Sequence, residues 1–270
     1  MKESSIPLGF HFAERELTFG EIHKEFSSTK YGDTLKNNVR FRSFKPDGVS
    51  NTEWRKLLGA DVNNLEHMPL SLGLTKDFLR HCANPSDGWQ GKAPEEAMFT
   101  SSEQSLLLLT AIVHDQAEAV IGDIPLPEKT KSDEEREMII FKKIFGEVLG
   151  QGKETHVYEA AADQVVDILS NTKSKLGRAF NAIEHVGYTR TALRAWDRSH
   201  KVEGDVKASL EQMSDAIIPH GLPRLVAYSE IYPPVDSFLK HHRQSIDQIL
   251  EKQGKLPYIV KDKVIWQQTS

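Results

Sequence analysis

From residue 63 onward the apolar positions of the chain recur at helical spacing. Between Leu65 and Arg80 they fall at 65, 68, 70, 72, 74, 78 and 79, close to a 3.6-residue period. Proline has no N–H and fits only the first turn of a helix, so Pro69 places the start of regular helix near His67 rather than at Asn64. Residues 83–100 hold two prolines and two glycines and read as a loop. The segment 101–121 gives the strongest helix signal. Ser101 or Ser102 can cap it, Gly122 ends it, and its run LLLLTAIV is apolar on every side, as in a buried central helix. Ser132 followed by Glu135 is a capping-box pattern that opens a helix running to about Leu149. Amphipathic segments follow near 154–170, 177–198, 204–217 and 235–253. Strand-like alternation is scarce, with one short extended piece within Pro257–Trp266. The expected fold class is all-α, with about six to eight helices.

Residues 1–50 are polar and irregular, with scattered aromatics at Phe10, Phe12, Phe19, Phe26, Phe41 and Phe44. They read as an extension that packs on the core, ahead of a helical domain over 51–255 and a tail over 256–270. Composition narrows the class without choosing a function. In a chain of 270 residues, 39% apolar and 27% charged residues describe a globular protein. A net charge of −5 argues against a nucleic-acid or membrane-surface footprint. The single cysteine, Cys82, excludes an intrachain disulfide and a Cys-rich zinc site. It follows Leu74, Phe78 and Leu79 and reads as a packed thiol. No apolar stretch has the length of a membrane span, and the first residues lack a secretory pattern, so a cytoplasmic location is expected.

The chemistry concentrates in His114-Asp115-Gln116-Ala117-Glu118-Ala119-Val120-Ile121-Gly122-Asp123. A carboxylate beside an imidazole on an apolar helix is costly unless each is paired or bound to metal. His114 and Glu118 are four apart and share a helix face. A second histidine, His67, opens the helix 47 residues earlier, within Leu65-Glu66-His67-Met68.

Together these segments resemble the HD-domain metal-dependent phosphohydrolases, and among them the 5′-deoxynucleotidase branch. LEHM, followed by HDQAEAVIGDIPLP, matches that branch over roughly residues 50–200. The resemblance implies an HD-type helical bundle in which His67, His114, Asp115 and Glu184 hold one divalent transition metal ion (Mn, Co, Fe, Ni or Zn). It also implies that Glu118 positions or protonates groups at a phosphate and that Asp123 contacts the substrate or the attacking water. Trp54, 13 residues before His67, stands near the branch's pocket tryptophan, where it stacks on a base or packs in the core. Two features depart from the family: a longer loop between His67 and His114, and Glu53 where the family carries an arginine. Arg55, Arg40 or Arg42 then makes the phosphate contact, and Lys129 and Lys131 are further candidates.

The implied activity is hydrolysis of a small phosphomonoester, a nucleoside 5′-monophosphate first, by a homodimer that uses neither nucleic acid nor membrane. The alternatives are a di-iron oxygenase of the same superfamily, which requires further paired histidines, and a degenerate HD module that binds a ligand without turnover.

Overall fold

The computed structural model describes residues 6–12, 15–59, 63–85, 95–122, 130–150, 155–254, 257–260 and 263–266. In chain order the elements are β1 (Gly9–Phe12), β2 (Arg15–Thr18), α1 (Phe19–Ser27), α2 (Lys30–Asn37), α3 (Asn51–Leu58), α4 (Asn64–Ala83), α5 (Ser101–Val113), α6 (Glu118–Ile121), α7 (Lys131–Leu149), α8 (Thr155–Ser170), α9 (Lys175–Ser199), α10 (Gly204–Ser229), α11 (Pro233–Lys252), β3 (Pro257–Val260) and β4 (Lys263–Trp266). Short 3-10 turns stand at Arg42–Phe44, Glu95–Ala97 and His114–Ala117. The fold class is all-α, and among the described residues the strands form two antiparallel hairpins, β1–β2 and β3–β4. No helix among the described residues is long and apolar enough to cross a membrane.

The chain divides into two compact units. The first takes residues 1–40, 60–79 and 99–181, and the second takes 41–59, 80–98 and 182–270. In the first unit α5 is the core helix. Leu107, Leu108, Leu109, Ala111, Ile112 and Val113 are all buried. Such all-round burial requires neighbours on several sides, which β1, α1 and α8 supply. The segment before residue 41 contributes Phe12, Leu17, Phe19, Ile22, Phe26 and Leu35, all buried. A capping box between Thr18 and Glu21 starts α1 directly after the hairpin. In the second unit α10 packs on α11 and Trp54 of α3 is fully buried.

Several boundaries differ from the sequence reading. The cap of α5 is Thr100, with Glu103 closing the box, and not Ser101 or Ser102. Likewise Thr130 with Asp133 caps α7, two residues ahead of Ser132 and Glu135. In both cases a threonine just upstream offers the same oxygen to an acidic N3 residue. Helix α4 begins at Asn64, not at His67, with Asn63 accepting from the Glu66 N–H at 2.8 Å. Helix α10 runs on to Ser229, through Pro219 and Pro223. Pro219 removes the N–H that would reach the Asp215 carbonyl, and Gln253 Nε2 of α11 donates to that oxygen instead, at 3.1 Å. The 101–121 segment is helical throughout, but it is not one α-helix. It tightens into the 3-10 turn at the His-Asp pair before α6 resumes.

Candidate metal centre

The site lies within the first unit and is assembled from three segments. Helix α5 delivers His114 and Asp115 at its C-terminal end, where the backbone passes into the 3-10 turn. A 3-10 step inside a helical run commonly marks a functional or strained point. Helix α4 delivers His67 on its first turn, with the His67 N–H held by the Asn63 carbonyl at 3.0 Å. The third segment is Asn38-Val39-Arg40, which follows α2. Val39 forms an isolated antiparallel bridge with Asn63, which sets the next residue, Arg40, beside the start of α4.

His67, His114 and Asp115 each present a ligand atom, and these atoms lie within 4.8 Å of one another. All three residues are buried, none more than 9% exposed. The two imidazoles meet edge to face with ring centroids 5.3 Å apart, and Phe180 flanks His114 at 5.4 Å on another side. Asp115 bridges two cationic partners. Its Oδ1 lies 3.0 Å from His114 Nε2, and its Oδ2 accepts from Arg40 NH1 at 2.8 Å. Burial by itself raises the Asp115 carboxyl. The opposing charges of His114, Arg40 and His67 outweigh it and hold that carboxyl well below the usual carboxylate range.

The tautomer of His114 follows from its neighbours. Its Nδ1 lies 3.0 Å from the Ala111 carbonyl, which can only accept, so Nδ1 carries the hydrogen. In the neutral imidazole the Nε2 lone pair then faces a carboxylate oxygen 3.0 Å away. Two acceptors at that separation require a cation between them, either a proton on Nε2 or a metal ion. Ligands at about 2.1 Å from one ion, in adjacent octahedral positions, stand about 3.0 Å apart. The separation of His114 and Asp115 matches that value. The Ala111 carbonyl also fills the place of the outer-shell acceptor that metal-bound histidines commonly have. The donor set of two imidazoles and a carboxylate fits a borderline divalent ion.

The other predicted site residues fall as follows. Glu118 opens α6 beside the cluster, partly exposed. Asn64 Nδ2 donates to its carboxylate and Asn38 Nδ2 to its main-chain carbonyl at 3.1 Å. Asp123 and Lys129 lie outside the described residues. Trp54, Arg55 and Glu184 belong to the second unit. Trp54 is fully buried, Arg55 is exposed and Glu184 is partly exposed on α9. Glu53, which stands where the family has arginine, closes the capping box of α3 with Ser50. Next to Glu184, His185 is lowered to about 4, first by burial and then by the nearby Arg224, whose NH1 donates to His185 Nε2 at 3.2 Å. Asn38 and Asn64 are not legible in the sequence, because an isolated asparagine carries no periodic or motif signal. Arg40 was one of three arginines between which the sequence did not choose. Arg40 is the one placed at the cluster. No family model, curated protein or solved structure matches the chain.

Proposed function

We propose that the chain is a metal-dependent phosphomonoester hydrolase of the HD type, acting on a nucleoside 5′-monophosphate or a related small phosphate. One observation carries the reading: two histidines 47 residues apart and the aspartate after the second converge on one buried point. The HD resemblance named those same three residues as ligands. His67, His114 and Asp115 would hold the ion.

The charge balance around the point favours an anionic substrate. Arg40 and Asp115 cancel, so a divalent ion outweighs the single Glu118 carboxylate and leaves the cluster positive. When bound, such an ion supplies Lewis acidity and neutralises phosphate charge. The remaining roles belong to side chains. Asn64 holds the Glu118 carboxylate as an acceptor, a state suited to orienting water or taking its proton. Arg40, anchored on Asp115 through NH1, keeps a fixed positive charge beside the point.

A second reading has its own support. Arg40 and His114 already compensate Asp115, and a buried carboxylate with two cationic partners can stand as a structural cluster in a module without turnover. Phosphate release separates the two. Metal-loaded protein should liberate phosphate from a panel of nucleoside 5′-monophosphates. Glu118→Gln should lower kcat by about 100-fold, the scale of a lost general acid–base group, with metal content unchanged. Absence of phosphate release from every substrate, with Mn²⁺, Co²⁺ and Zn²⁺ each supplied, would count decisively for the structural cluster.

A further inference from the structure

We infer that His23, on α1, is a positioning residue for His67, acting through the main chain of α4. In an α-helix the carbonyl of residue 65 accepts from the N–H of residue 69. Residue 69 is proline, so this bond cannot form. His23 Nε2 lies 3.1 Å from the Leu65 carbonyl, across 42 residues of chain. A carbonyl only accepts, so Nε2 carries the hydrogen and donates it there.

The repaired carbonyl sits in the same turn as His67, two residues before it. That turn is held at one end by Asn63, which caps the Glu66 N–H and accepts from the His67 N–H. His23 supplies the bond that Pro69 removes at the other end. With both in place, the backbone that aims the His67 imidazole at His114 and Asp115 is fixed from two directions. The repair at Pro219 by Gln253 shows that this chain uses the same substitution of donors elsewhere. At Pro69 the mended carbonyl stands beside a proposed ligand, and the donor comes from the N-terminal segment.

The inference rests on His67 being a metal ligand, and its test separates the two claims. Four proteins are compared: wild type, His23→Ala, Pro69→Ala and the double variant. Pro69 is exposed, so alanine is accommodated there and restores the internal N–H donor. Co²⁺ affinity is read by titration calorimetry, and Tm on the metal-free proteins. His23→Ala should weaken Co²⁺ binding about fivefold, the scale of one lost hydrogen bond in a ligand's support. In the Pro69→Ala background the same change should alter affinity less than about twofold. His23→Gln, which keeps an N–H donor, should recover most of the loss. Equal losses in both backgrounds, or an affinity that ignores His23, would overturn the positioning role. Coupling in Tm without coupling in affinity would overturn that role and leave the metal reading intact. Wild-type protein that takes up no Co²⁺ would overturn both.

Discussion

Asp115 is the residue on which the local electrostatics turn. A buried carboxylate is expensive without cationic partners, and this one has Arg40 on one oxygen and His114 on the other. Removing Arg40 leaves half of that compensation. Arg40→Met, which keeps most of the stem volume, should destabilise the metal-free protein by about 3 kcal/mol, as expected for breaking a buried pair. Added divalent ion should recover part of this, because the ion then compensates the carboxylate. Denaturant unfolding with and without metal measures both quantities. A loss below about 0.5 kcal/mol would show that Asp115 does not depend on Arg40. At this scale the sequence was informative where a motif existed. That His67, His114 and Asp115 come together was legible from residue type and from the spacing of the HD resemblance. Arg40 was not selected, because its place depends on the Val39–Asn63 bridge, a contact across 24 residues that no local pattern encodes. The single cysteine behaves as its neighbours suggest: Cys82 is buried, and burial pushes its thiol up.

Among the elements, the helices of the second half of the chain were the most legible, since their apolar stripes run unbroken over many turns. Their ends were less so. The caps lie upstream at Thr100 and Thr130, because serine and threonine candidates stand within two residues of one another and Ser132 with Glu135 matches the box pattern as well as Thr130 with Asp133 does. Thr100→Ala should therefore cost about 1 kcal/mol in chemical denaturation, and Ser101→Ala should cost far less. The prolines of α4 and α10 misplaced two boundaries for a physical reason. A proline need not end a helix when another donor reaches the carbonyl it strips, as His23 does for Leu65 and Gln253 for Asp215. A further tie joins α2 to α7. The Tyr31 hydroxyl donates to the Glu147 carboxylate, and this bond, with burial second, raises the Tyr31 phenol to about 12. A raised folded-state pKa contributes stability that is complete below pH 10 and is lost as the pH rises through about 12. Phenolate absorbance should show a late-ionising step near pH 12, and Tyr31→Phe should remove one tyrosine from it. An unchanged titration curve would remove the bond from the account.

For the molecule as a whole, the all-α class followed from helical periodicity and scarce strand alternation, and the structure has it. The N-terminal segment was not legible in this way. Its short elements, β1, β2, α1 and α2, are each too brief for periodicity to declare them; β1 and α1 pack on α5, β2 on β1 and α1, and α2 on α1 and α6. Yet this segment carries Arg40 and Asn38, which stand at the proposed metal centre, and His23, proposed to position it. The division of the chain into two interleaved units was likewise invisible, because each unit is built from separated stretches of sequence. The central claim is that His67, His114 and Asp115 cage a cation. It is tested most directly by elemental analysis of purified protein after dialysis against each divalent ion in turn, for the wild type and for His67→Ala. About one ion per chain in the wild type, lost in His67→Ala with the fold retained by circular dichroism, is the predicted result. A wild type that retains no stoichiometric ion, or a His67→Ala protein that retains a full equivalent, contradicts it.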